Sequence, residues 1–278
     1  MIINKEALDV LFTGFKSSFQ EGLAGAPSTY KSIAMTVPST HSAEQYSWLG
    51  QIPAMREWVG DRVISGLKGH NYTVQNKDYE DTISVPRNDI MDDQYGVFGK
   101  LFEQLGRAAA EQPDKMCYDL LSKGHETPCY DGQNFFDADH PVETENSVTS
   151  VSNVAPIDIG GGEVEFEPWY LLDCTRAMKP LLFQERLPFD KLTKLDQDSD
   201  PNVFMRKEYI YGVEGRGNVG FGLWQLAYRS TKELTPANYE AARKHMMTMR
   251  GDENRVLGIT PNVLVCSPNL EGKARKIL

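Results

Sequence analysis

The sequence predicts an α+β chain, and three observations predict it. An aromatic-rich apolar stripe at helical spacing opens the chain, and a second, longer one runs over 93–123. Alternating, β-branched stretches fill 56–87 and most of the second half. With 278 residues, 40% of them hydrophobic and 24% charged, the chain can bury a real core as one large or two ordinary domains.

The first helix takes Asn4 as its cap and carries Leu8, Leu11, Phe12, Phe15, Phe19 and Leu23 on one face. It ends at Gly22 or Gly25, and its apolar face needs a cover, either the chain's own core or a neighbouring copy. From Gly25 to about Pro53 the Ala, Pro, Ser and Thr content predicts an extended arm with poor self-burial. Strand-like stretches at 56–64, 72–79 and 82–86 are joined at Leu67-Lys68-Gly69-His70 and Gln75-Asn76-Lys77-Asp78, which predicts a long, polar β-ribbon. A lone hairpin is marginal in water, so such a ribbon must lie on something.

Asp92 or Asp93 caps the helix over 93–123, whose inner face is Phe98, Leu101, Phe102, Leu105 and Ala109. Pro113 kinks it or opens a second piece carrying Met116, Cys117, Leu120 and Leu121, with a stop at Gly124. Residues 127–141 read as loop, and Gly160-Gly161-Gly162 as a hinge or hairpin tip. Strands are expected at 169–173, 181–184, 209–213 and 223–228, with a charged surface loop over 190–201. A helix opens at Thr235-Pro236 and runs to about Arg250. Val263-Leu264-Val265-Cys266 reads as a buried strand, and Ser267-Pro268 starts a last helix that reaches Leu278 uncapped, as if a further segment followed.

Lys and Arg number 29 against 39 Asp and Glu, a formal net charge of -10. A nucleic-acid-binding groove shows the opposite balance. Mean hydropathy is -0.44, no apolar run is long enough to span a bilayer, and Met1-Ile2-Ile3-Asn4-Lys5-Glu6 lacks a leader's basic-then-apolar pattern. The chain is therefore expected to fold in a cytoplasm. Cys117, Cys129, Cys174 and Cys266 form no CxxC pair and are expected as reduced, partly buried thiols.

Candidate chemistry is sparse. Gly215-Arg216-Gly217-Asn218-Val219-Gly220 fits G-x-G-x-x-G, but the Phe221-Gly222-Leu223-Trp224 that follows is strand-like rather than helix-opening. A glycine-rich bend between two strands is expected there instead of a dinucleotide site. Asp137, Asp139 and His140 offer oxygen and imidazole ligands for a divalent metal, yet without a second cluster they read as turn chemistry. Cys129 with His140 is a conceivable nucleophile–base pair outside any nucleophile motif. Asn71-Tyr72-Thr73 fits a glycosylation sequon that a cytoplasmic chain never uses. No catalytic residue and no cofactor is assigned.

The order of segments carries more than any single motif. Phe12-Thr13-Gly14-Phe15-Lys16, Trp48-Leu49-Gly50, Arg56-Glu57-Trp58-Val59-Gly60-Asp61-Arg62 and Asp92-Asp93-Gln94-Tyr95-Gly96 resemble the major head (capsid) protein of Mu-like tailed bacteriophages. So do Pro128-Cys129-Tyr130-Asp131-Gly132, Phe135-Phe136-Asp137 with Asp139-His140-Pro141, and Asn218-Val219-Gly220-Phe221-Gly222-Leu223-Trp224-Gln225. The resemblance implies the Hong-Kong-type capsid fold. It divides the chain into an N-terminal helix and arm (1–55), an extended β-hairpin loop (56–90), a peripheral domain with a long spine helix (91–165), and an axial domain with a return to the peripheral domain (166–278). The family would run on past Leu278.

The implied function is structural and not enzymatic: hexamers and pentamers close into an icosahedral shell around double-stranded DNA through repeated heterologous contacts. The implied partners are further copies, scaffold and portal proteins, and an external decoration protein; the DNA is weakly contacted and no membrane is involved. An acidic wall suits that role, because a basic one would hold the duplex and hinder its packaging. By analogy, Phe12, Phe15 and Phe19 on the arm and Trp58, Arg62, Lys68, Lys77 and Asp78 on the ribbon bear subunit contacts. The competing readings are an encapsulin-like compartment shell and a nucleotide-dependent enzyme using 215–220.

Overall fold

The computed structural model describes residues 4–49, 71–92, 94–144, 147–155 and 166–278. Helix α1 (Lys5–Gly25) starts where expected: the Asn4 side chain accepts a hydrogen bond from the Ala7 amide at 2.8 Å. Its face of Leu8, Leu11, Phe15 and Phe19 is buried, but inside the chain itself. Phe15 stacks on Phe102 with ring centroids 4.3 Å apart, and Tyr211 meets both rings edge-on at 5.4 Å. The cover is therefore intramolecular.

The stretch after Gly25 is not a loose arm either. Helix α2 (Tyr30–Ile33) leads into β1 (Ala34–Pro38), which pairs in parallel with β8 (Leu181–Leu187) from Ala34↔Leu181 to Pro38↔Glu185. Tyr30, Ile33, Ala34, Tyr46 and Leu49 lie in the main core. The apolar residues at 30–34 are too few to show a period, and their burial depends on a partner strand about 150 positions away.

Strands β2 (Ala43–Gln45) and β3 (Thr73–Gln75) pair antiparallel and flank the segment 50–70, so the upstream part of the predicted ribbon lies outside the described residues. Gln75-Asn76-Lys77-Asp78 does not reverse the chain. Asn76 hands it from β3 to β4 (Lys77–Pro86), a continuous strand that pairs with β10 (Glu208–Phe221) from Lys77↔Gly217 to Pro86↔Glu208. After α3 (Arg87–Met91), Asp92 closes that short helix instead of opening the long one. A 3-10 turn, Gln94–Val97, intervenes, and α4 spans Phe98–Ser122 with Pro113 buried inside it rather than ending it. The first half of α4 packs on α1, while Met116, Cys117 and Leu121 enter the main core. Leu101, expected inside, is exposed.

Strands β5 (His140–Thr144) and β6 (Ser147–Val151) form a hairpin, β7 (Trp169–Leu172) follows, and Gly160-Gly161-Gly162 lies outside the described residues. The expected surface loop over 190–201 contains β9 (Leu192–Leu195), which pairs with β10 and precedes α5 (Pro201–Arg206). β10 is the axis of a five-stranded sheet: β4 flanks one edge, and β8 and β9 share the other. The sheet thus draws strands from the expected arm, ribbon and axial segments, across the expected boundaries. β11 (Ala227–Ser230), β7 and β14 (Val263–Cys266) make a second, antiparallel sheet. Between them come α6 (Pro236–Thr248), capped by Thr235 as expected, and the short pair β12 (Arg250–Gly251) and β13 (Arg255–Val256). Helix α7 (Glu271–Ile277) follows β14, which is half-buried.

Candidate functional site

The glycine string 215–220 lies within β10 and is neither a phosphate loop nor a bend. Its glycines make room for neighbours. A Cβ on Gly215 would strike the Phe189 ring, and one on Gly217 would come within 2.5 Å of the Gln184 carbonyl, beside the register shift between Arg216 and Gly217. A strand crossed this closely on both sides needs residues without side chains, which is what the motif supplies.

The Asp137, Asp139 and His140 cluster does not assemble as a ligand set. Asp137 and Asp139 sit together at the surface, and the hydrogen bond between their side chains raises the Asp139 carboxyl. The fully buried His140 turns to Asp131, donating from Nδ1 to Oδ2 at 2.7 Å, and stacks on Trp224 with centroids 4.0 Å apart. Asp131 also accepts from Cys129 Sγ at 3.1 Å and from the Gln133 amide at 3.0 Å. Cys129, Asp131 and His140 are close enough for one ion, but these spacings are hydrogen-bond distances, and three hydrogen bonds already engage the carboxylate. Burial opposes the charge on Asp131, and the bonds from His140 and Cys129 outweigh it, so its carboxyl is held below the usual range. The group is a clamp on the 128–140 loop.

Nor does Cys129 work as a nucleophile. Burial, then the Asp131 charge, pushes its thiol far up, so the reactive thiolate is suppressed. Burial also raises Cys117 and Cys174 to about 12 each, and shifts Cys266 upward.

A polar network that the sequence reading missed anchors the β2–β3 pair. The buried Gln184 of β8 accepts from Tyr46 Oη at 2.8 Å and donates to Asn76 Oδ1 at 2.7 Å. Asn76 donates to Ser39 Oγ at 2.8 Å, and Ser39 to Glu44 at 3.0 Å. Glu44 also collects the Thr40 and His41 amides, and these bonds pull its carboxyl down to about 2. The Phe221 amide donates to Tyr72 Oη at 2.8 Å, and burial raises that phenol to about 12. The only hint in the sequence is a glutamine closing an apolar strand.

The residues expected at subunit contacts separate into four groups. Phe15 and Phe19 are buried in the chain's own core. Phe12 is half-buried, with Tyr211 against its ring and Lys194 Nζ 4.9 Å from its centroid. Trp58, Arg62 and Lys68 lie outside the described residues. Lys77 and Asp78 are exposed on β4, where Asp78 meets Arg216 at 3.2 Å. No helix among the described residues is long and apolar enough to cross a membrane.

Comparison with known proteins places this architecture. The chain is 41% identical over 277 residues to the Mu-like prophage FluMu major head subunit of Haemophilus influenzae, covering 99% of this chain and 90% of the relative. It is 39% identical over 282 residues to the major capsid protein of Escherichia phage Mu, covering 100% and 91%. Among solved structures, a subunit of the bacteriophage JBD30 procapsid superposes with a TM-score of 0.86 at 44% identity, over 99% of this chain and 91% of that one. A chain of the JBD30 capsid decorated with minor capsid protein trimers gives 0.73 at 32% identity, over 93% and 84%. Residues 8–278 match the family model described as Mu-like prophage major head subunit gpT, and the chain belongs to that family of phage major capsid proteins.

Proposed function

We propose that this major capsid protein assembles as hexamers and pentamers into an icosahedral head that encloses double-stranded DNA. The observation that carries the reading is the agreement of sequence and fold with the JBD30 procapsid subunit along nearly the whole chain. Repeated heterologous contacts between identical subunits close such a shell, with no step of covalent chemistry. α4 serves as the spine of the peripheral region, and the β2–β3 ladder is the stalk of the extended loop, held by the Gln184–Asn76 network. The exposed Lys77 and Asp78 at the base of that loop contact the adjacent subunit. Assembly takes place in the host cytoplasm with scaffold and portal proteins, and the outer face accepts a decoration protein as the JBD30 capsid accepts its minor capsid protein trimers.

The test is negative-stain electron microscopy of the purified chain, alone and co-produced with scaffold. Capsomers, shells or tubes are expected. A monomer that persists across salt conditions with scaffold present overturns the reading, as does a small cage closed around a protein cargo.

A further inference from the structure

Two apolar features have no partner among the described residues, and they match each other. The first is a groove of about 330 Å³ between α1 and the start of α4, walled by Val10, Gly14, Phe15, Ser18, Gly96 and Gly99. A Cβ on Gly14 or Gly96 would meet nothing within 4 Å, so among the described residues no side chain fills the groove. Val10 on its rim is 73% exposed.

The second is a knob. Val203 anchors α5 in the α1–α4 cluster, which turns the next two residues outward: Phe204 is 80% and Met205 76% exposed. Asn202 donates to the Leu195 carbonyl at 3.1 Å, which ties the knob to the exposed end of β9. Adjacent exposed apolar side chains of this size mark a contact surface rather than ordinary scatter.

The flanking charges are opposite in sign. Helical spacing puts Glu6 on the face of Val10 and Glu21 on that of Ser18. α5 ends in Arg206 and Lys207, both exposed and in no ion pair among the described residues. Lys100, beside Gly99, is held in an ion pair with Glu103 at 2.6 Å, so the border of the groove is net acidic, and the knob is apolar with a basic C-terminal end.

We propose that the α5 knob, Phe204 and Met205, seats in the α1–α4 groove of a second copy of this chain. Knob and groove are different patches, so the contact is heterologous and repeats from subunit to subunit until it closes. It rests on the shell reading above and names one contact within it.

The test pairs Ser18→Cys with Met205→Cys. On oxidation, particles of the double variant should yield a ladder of covalent multimers on a denaturing, non-reducing gel, while either single variant and the unassembled double variant stay monomeric. As a second measurement, Phe204→Ser with Met205→Ser should leave the melting temperature of the free chain unchanged. It should also raise the concentration needed for particles about tenfold or more, as loss of a central apolar anchor does. Particles without a ladder, or a serine variant that assembles like the parent, overturn this contact and leave the shell reading standing. Failure of the unsubstituted chain to form particles overturns the shell reading itself, and the contact with it.

Discussion

Gly22 and Gly106 bring helices α1 and α4 into backbone contact. A Cβ on Gly22 would overlap the Glu103 carbonyl oxygen, and one on Gly106 would overlap the Phe19 carbonyl oxygen. Each helix therefore offers a glycine at the point where the other's backbone crosses it. That close approach is what buries Phe15 and Phe19 against Phe102.

Gly106→Ala is accordingly expected to destabilise the chain, although alanine is the better helix former by about 1 kcal/mol. Forced separation of two packed helices costs about 1–3 kcal/mol or more, so thermal unfolding should move down by several degrees. Gly14→Ala in the same helix pair meets nothing within 4 Å and should move it slightly up.

Asp114 caps a helix that is not its own. From α4 it accepts the Thr29 and Tyr30 amides at 2.7 and 2.8 Å and the hydroxyls of Ser28 and Thr29. Bonds to an ionised acceptor are the stronger kind, and stranded amides cost more than absent ones. Asp114→Ala should cost about 2–3 kcal/mol in denaturant unfolding. Asp114→Asn, which still accepts through one oxygen, should cost less.

Acid should loosen the turn that Glu44 holds before β2. Glu44 has its folded pKa lowered from 4.5 to about 2, so its contribution is fully present above about pH 4.5 and is lost as pH falls toward 2. Asp131, also depressed by its partners, behaves with the same sign. Melting temperatures of the parent and Glu44→Gln should differ at pH 7 and converge as the pH approaches 2. A constant difference would show that the carboxylate's charge is not what holds the turn.

All four thiols should react slowly with a disulfide reagent near neutral pH and promptly once the chain is unfolded, because burial raises every one of them. A single fast equivalent that tracks Cys129→Ser would overturn the assignment of the Cys129–Asp131–His140 group as a clamp.

Helices were legible in the sequence where their signals are local. The Asn4 cap with its stripe, the Thr235-Pro236 start and the apolar spacing of α4 are each written within one element. Strand partners were not, because alternation shows that a face is covered and not by what. Thus the chain ran on from β3 into β4 through a stretch that looked like a turn, and the charged 190–201 segment held β9. The clamp was half visible: Cys129 and His140 stood out, but Asp131, the residue that joins them, looked like any aspartate in a turn.

By itself the sequence determined the helical periods, the acidic balance and the family, since each is a property of residue order alone. Tertiary structure decided that the opening aromatics serve the chain's own core, that a glycine string is a crowded strand, and that Gln184 holds Asn76 from 108 positions away. The reason is physical: spacing along one element states that a side chain needs company, whereas packing between distant segments settles which company it gets.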